Sequence, residues 1–274
     1  MTGLPLTPLR FARLLLTGAA GNLGRELRPR LKKYCDALRL SDREPLAGDL
    51  VPGEEFVRAG LGDAAAVQAL AEGVAAIVHL GGVSTERPWE QILDGNIVGT
   101  YHLYEAARRC GVGRIVFASS NHVTGFYRQD EVIGPHDPVR PDGLYGLSKA
   151  FGENLAQLYW DRHRIETVSI RIGSSFPEPK DRRMLATWLS FDDLERLVVA
   201  ALTAPVVGHT VIYGMSDNAA TWWDNTTARH LGYRAQDSSE RFRAALEARQ
   251  PAPDRGDPAV IYQGGAFVRT GPFA

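Results

Sequence analysis

Short apolar runs alternate along this chain with stretches in which apolar residues recur at helical spacing. The runs Arg13–Thr17, Ala37–Ser41, Glu55–Arg58, Ala76–Leu80, Arg114–Ser119 and Thr167–Ile172 read as strands. Helical spacing predicts helices over Leu23–Lys33, Ala64–Glu72, Trp89–Cys110 and Tyr145–His163. Alternation of this kind is the signature of a parallel sheet with crossover helices, so the expectation is an α/β, doubly wound parallel sheet. Such a sheet presents ligand groups beyond the C-terminal ends of its strands.

Beyond Gly173 the regularity weakens. Residues Phe176 to Arg183 form a polar, proline-bearing stretch, Asp192–Ala204 reads as a short helix and Val206–Gly214 as a further strand. The tail from Gln250 is rich in Pro and Asp. The chain is therefore read as a single domain over residues 1–274. Within it, residues 12–175 form the sheet core and residues 176–274 mostly a small C-terminal cap over the sheet's edge.

Composition narrows the partners. The formal net charge is −1 and hydrophobic residues make up 44% of the chain. Neither value suits a disordered chain, nor a surface built for nucleic acid or an anionic membrane. An anionic ligand must then be held by one or two local cations. The apolar run through Leu14, Leu15 and Leu16 is too brief for a signal peptide and leads directly into a glycine motif that needs it as a strand. No other stretch approaches the roughly 20 apolar residues of a membrane span. The only cysteines, Cys35 and Cys110, lie far apart and outside any metal-ligand spacing. A soluble, cytoplasmic protein without bound metal is expected.

Gly18, Gly21 and Gly24 follow the first strand at intervals of three. The first permits a tight turn, the second lets backbone approach a pyrophosphate, and the third lets the helix pack on the strand. Turns use glycine freely, so the triplet gains meaning from Asp42, which ends the second strand about 20 residues later. A carboxylate there accepts hydrogen bonds from adenosine ribose hydroxyls and repels the 2′-phosphate of NADP; it also suits a plain strand-end turn. NAD is the expected cofactor on a Rossmann-type sheet, with Arg43 softening the preference. Leu80, Gly81 and Gly82 close the fourth strand, where glycines let backbone pass close to a cofactor. His79, just before them, reads as a core histidine.

Tyr145 and Lys149 lie one helical turn apart on one face. An ammonium beside a phenol pulls its pKa down from about 10, which makes Tyr145 a general base for an alcohol. Lys149 also reaches the nicotinamide ribose. Ser119 and Ser120 end the fifth strand, where a hydroxyl bonds the reacting oxygen or merely caps the strand. Asn96 lies in the preceding helix, placed to brace the lysine through backbone and water.

Together, residues Thr17 to Gly24, Asn96 to Thr100, Ser119 and Ser120, and Tyr145 to Lys149 resemble the extended short-chain dehydrogenase/reductase superfamily in order and spacing. A closer resemblance is to the uronate dehydrogenase family. It is carried by the stretches His79–Ser84, Phe117–His122, Arg140–Gly146, Arg171–Ser174, Arg183–Trp188, Trp222–Asn225 and Gln263–Phe267.

That resemblance implies NAD-dependent oxidation of the C1 hydroxyl of cyclic galacturonate or glucuronate to an aldarolactone. It implies catalysis by Tyr145, Lys149, Ser120 and Asn96. It adds Asn22, Leu23, Leu61, Leu80, Gly81 and Ser175 to the cofactor contacts. The uronic acid would meet Ser84, Ser120, Asn121, His122 and Ser174, with Arg183 gripping its carboxylate. The resemblance also implies a homo-oligomer, paired through helices bearing Tyr101, His102 and Tyr104 and bearing Tyr159 and Trp160. One departure stands out: where the family carries an Asp-Leu pair that meets the adenine amino group, this chain has Gly60 and Leu61. A weaker grip on adenine follows unless Asp63 substitutes.

Two other readings remain open on the residues. One is another activity of the superfamily on nucleotide sugars, an epimerase or dehydratase, for which the chain is short and lacks an acidic residue beside Ser120. The other is a dinucleotide-binding sensor, which has no need of Tyr145 and Lys149.

Overall fold

A computed structural model describes residues 10–271. Its strands are β1 (Phe11–Thr17), β2 (Cys35–Asp42), β3 (Glu54–Arg58), β4 (Ala76–His79), β5 (Arg114–Ser120), β6 (Glu166–Ile172), β7 (Ser174–Ser175), β8 (Trp188–Leu189) and β9 (His209–Gly214). Its α-helices are α1 (Asn22–Leu31), α2 (Ala64–Ala71), α3 (Trp89–Ile92), α4 (Gly99–Cys110), α5 (Leu144–His163), α6 (Met184–Thr187), α7 (Phe191–Thr203), α8 (Glu240–Arg249) and α9 (Pro258–Ile261). Seven strands form one sheet in the order β3-β2-β1-β4-β5-β6-β9, every pair parallel. Every strand expected from sequence is present, with ends shifted by up to three residues.

The unbroken apolar strands follow from burial on both faces. Leu14, Leu15 and Leu16 of β1 are all fully buried. Leu14 and Leu16 join a core with Leu27 and Leu31 of α1 and Leu194 and Leu197 of α7. Leu15 points the other way, toward Leu70 of α2, Leu103 of α4 and Leu155 of α5. Burial of each such leucine contributes roughly 1.5–3 kcal/mol.

The helix expected over Trp89–Cys110 is interrupted by a π-helical turn, Leu93–Val98, between α3 and α4. The extra residue carries Asn96 into the interior. Its amide accepts from the Val83 N–H at 2.7 Å and donates to the Val83 carbonyl at 3.0 Å and to Ser148 Oγ at 2.9 Å. The loop after β4 is thereby tied to α5.

Helix α5 has no side-chain cap of its own, since Gly143 precedes it. Buried Glu86 supplies one from a distance, its carboxylate accepting from the N–H groups of Leu144 at 2.9 Å and Tyr145 at 2.8 Å. A carboxylate there also suits the positive end of the helix dipole. On the underside of α5, Glu153 is bound by Arg171 of β6 through bonds of 3.0 and 2.9 Å and by Ser119 at 2.6 Å.

The stretch after residue 175 is not all cap. Helix α7 packs into the main core and β9 extends the sheet beside β6, so the last crossover of the doubly wound fold lies there. The apolar face of α7 and the β-branched run of β9 need the same cover as earlier elements. The remainder, with the cluster of Ile133, Ala186, Tyr213, Trp222 and Trp223, builds the cap. Tyr104 and Tyr159 do not face a partner either. Both are buried, Tyr104 bonded to Thr167 and Tyr159 to Glu105, because the aromatic stripes of α4 and α5 pack on each other. No described helix is long and apolar enough to cross a membrane.

Candidate active site

A cleft of about 1000 Å³ opens beyond the C-terminal ends of the central strands. At the β1–α1 turn, Gly18 has φ +71°, and a Cβ there would lie 2.7 Å from the backbone of Leu80 and Gly81. A Cβ on Gly24 would lie 2.1 Å from the Gly18 carbonyl oxygen. The first and third glycines are thus demanded by contact, and Gly21, Asn22 and Leu23 line the cleft between them. The N-terminus of α1 opens toward this space, a setting that favours a phosphate.

Asp42 ends β2 at the cleft wall and accepts from the Ala20 N–H at 2.9 Å and the Glu44 N–H at 3.0 Å. The turn role and the ribose-facing position therefore coexist. Exposed Arg43 leans toward Glu44, 3.6 Å away. Leu61, Leu80, Gly81 and Ser175 also line the cleft, and the Ser175 hydroxyl is buried without a protein partner. A glycine cradle, a carboxylate at the end of β2 and an unpaired hydroxyl near the end of β6 together fit a dinucleotide.

The adenine end departs from expectation. Gly60 faces open space, and Asp63 is not free to replace a carboxylate there, because it caps α2 by accepting from Ala65 and Ala66 at 3.0 Å. The carboxylate that does lie on this wall belongs to Asp94, beside Gly62.

Tyr145 and Lys149 both reach the cleft floor, with Lys149 Nζ 5.8 Å from the Tyr145 ring centroid and 5.1 Å from that of Phe117. The expected lowering of the phenol is not found. Burial pushes Tyr145 up to about 12, with a hydrogen bond from Ser120 acting in the opposite direction. Burial likewise pushes Lys149 down to about 8. Both charged forms lose hydration in the same dry floor, and the ammonium is too distant to offset it. Ser120 ends β5 and accepts from the His122 N–H at 3.2 Å. Asn96 is bonded to Val83 and Ser148 rather than to Lys149, so it positions the floor without touching the reacting groups. His79 is a core histidine, bonded to Thr17 at 2.7 Å and driven down to about 3 by burial and by the charge of Lys149.

The far end of the cleft gathers Ser84, Asn121, His122, Ser174 and Arg183. The Ser174 hydroxyl is bonded to Thr187 at 2.9 Å. Oriented to satisfy both neighbours, the Asn121 amide donates to the Ile172 carbonyl at 3.0 Å and accepts from Arg183 Nη2 at 2.7 Å. His122 Nδ1 lies 2.6 Å from Asp142, which directs the Nδ1 proton to the carboxylate and leaves Nε2 for the cleft. Burial lowers the His122 pKa while Asp142 raises it.

Sequence reasoning missed Glu86, Asp142, Gln263 and Phe267 as parts of this site. Gln263 holds Arg183 through its carbonyl oxygen at 2.6 Å, and Phe267 stacks on the His122 ring with centroids 3.8 Å apart. The stretch Gln263–Phe267 carried part of the family resemblance, but no role followed from it.

The chain is similar to known proteins over most of its length. The model of the NAD dependent epimerase/dehydratase family matches residues 14–191. The chain is 61% identical over 268 residues to the uronate dehydrogenase of Pseudomonas putida, covering 98% of this chain and 100% of that protein. A solved uronate dehydrogenase from Agrobacterium tumefaciens, a tyrosine-to-alanine variant complexed with NAD, matches with a TM-score of 0.93 at 52% identity. That match covers 95% of this chain and 98% of that one. A glucuronic acid dehydrogenase from Chromohalobacter salexigens matches with the same TM-score of 0.93 at 53% identity.

Proposed function

The chain belongs to the uronate dehydrogenases of the NAD dependent epimerase/dehydratase family, and from that premise we propose that it oxidises a cyclic hexuronate at C1 with NAD. The supporting observation is that Tyr145, Ser120 and Lys149 share one cleft with Arg183, a cation in a protein of net charge −1. Arginine matches a carboxylate through two parallel hydrogen bonds.

Ser120 and Tyr145 hold the C1 hydroxyl between them, and Tyr145 removes its proton. NAD bound in this cleft would supply the hydride acceptor for C1 and a positive charge that favours the phenolate. C1 of the pyranose also carries the ring oxygen, so its oxidation yields an ester within the ring, an aldarolactone. Lys149 would hold the nicotinamide ribose. Glu86 and Asn96 keep Tyr145 and Lys149 in place without touching the substrate. His122, its Nδ1 committed to Asp142, offers Nε2 to a sugar hydroxyl.

A Tyr145→Phe variant tests this assignment. Turnover is expected to fall by about 100-fold or more with the dissociation constant for NAD unchanged. Retained turnover would remove Tyr145 as the base; unchanged behaviour in a protein that never turns over would favour the sensor reading.

Exposed Tyr101 on α4 and Leu147 and Leu158 on α5 support a homo-oligomer built on these helices. Two free cysteines, one of them buried, suit a reducing cytoplasm.

A further inference from the structure

The C-terminal stretch Gln263–Phe267 lies between the two side chains that would read the substrate. Every polar group of Gln263 is occupied. Its backbone N–H donates to the Tyr127 carbonyl at 2.8 Å, and its side-chain nitrogen donates to the carbonyls of Arg128 and Glu131, each at 2.9 Å. Its side-chain oxygen accepts from Trp223 Nε1 at 2.9 Å, and its carbonyl accepts from Arg183 Nε at 2.6 Å. The residue is 1% exposed. Two residues on, Gly265 has φ +63°, and a Cβ there would lie 2.6 Å from Arg183 Cδ and 2.8 Å from its Nε. Gly264 is pressed against Asp142 in the same way, and Phe267 covers His122.

From these contacts we infer that Gln263–Phe267 is a positioning strap that sets selectivity for the substrate carboxylate by holding the Arg183 guanidinium in one orientation. The inference rests on the uronate reading and specifies how that site achieves it. The Gln263 carbonyl fixes Nε and Asn121 fixes Nη2. Among the described residues, both N–H groups of Nη1 and the second of Nη2 have no protein partner, and these face the task of gripping a carboxylate. A long side chain already immobilised loses less freedom when ligand arrives. Gly265 is required because any side chain at that point occupies the space of the arginine stem.

Two variants probe the strap without altering a group that touches substrate. Gly265→Ala and Gly265→Asn place the same Cβ against Arg183, but asparagine tolerates positive φ, so the second imposes less backbone strain. Both are expected to raise KM for galacturonate about tenfold, with kcat changed far less and the calorimetric Kd for NAD unchanged. Melting temperatures separate loss of fold from loss of positioning. In an Arg183→Met background, either Gly265 variant is expected to add nothing further to KM, because the strap acts through Arg183. An unchanged KM in Gly265→Asn would overturn the inference. So would an equal rise in the Arg183→Met background, or a parallel rise in the Kd for NAD. A wild-type protein that binds NAD yet turns over no uronate would instead overturn the substrate reading on which the inference rests.

Discussion

Lys149 shows what catalysis costs the fold at the scale of one residue. Burial brings its pKa from 10.5 down to about 8, so its charged form destabilises the folded state below about pH 8. That penalty fades as the pH rises toward the unfolded value of 10.5. A Lys149→Met variant is expected to be more stable by roughly 3 kcal/mol near neutral pH, a gain that vanishes in alkali, while turnover falls by about 100-fold or more. Urea melts at the two pH values check it; equal stabilities at neutral pH would remove the buried charge from the account. At the cofactor's other end, Gly60→Asp places a carboxylate in open space beside Leu61. It is expected to tighten NAD binding by a few-fold, about what one added hydrogen bond contributes. Equal or weaker binding would show that adenine needs no carboxylate there. Helical spacing put Tyr145 and Lys149 on one face, and Ser120 and Asn96 in their company gave that pair its meaning. Glu86 and Gln263 left no such mark, since their bonds to Tyr145 and Arg183 span 59 and 80 positions.

At the scale of elements, α5 is held to the sheet by a buried charge network as well as by apolar packing. Glu153 and Arg171 have side chains 6% and 2% exposed, and Glu153 also takes the Ser119 hydroxyl next to Ser120. A Glu153→Ala variant leaves the guanidinium unpaired in the core and is expected to cost about 3–5 kcal/mol in a denaturant melt. A loss below about 1 kcal/mol would mean that the pair behaves like an exposed one. The strands were legible because their apolar runs are short and bounded. The π-helical turn at Leu93–Val98 was not, since one extra residue leaves the apolar spacing nearly unchanged. Tyr104 of α4 and Tyr159 of α5 misled for a related reason. A stripe of tyrosines has the same pattern whether it packs within the chain or against a second copy.

At the scale of the whole molecule, the sheet supplies a dinucleotide cradle at its centre, and the C-terminal region returns to finish the substrate end. The first part was readable because glycines, Asp42, Ser120 and the Tyr145–Lys149 pair all lie within or beside their own strands and helices. The substrate end was reached only through the family resemblance, because Arg183, Asn121, His122 and the strap are far apart in sequence and meet only in the folded chain. The joint product of these two ends is a cleft with Ser120, Tyr145 and Lys149 at its floor and a fixed cation, Arg183, at its far wall. The most direct test is NADH formation, followed by near-ultraviolet absorbance, with purified protein, NAD and galacturonate or glucuronate against galactose and glucose. Turnover of the uronates with little for the neutral sugars is the predicted result. Intact NAD binding without uronate turnover, or equal turnover of the neutral sugars, would contradict the account.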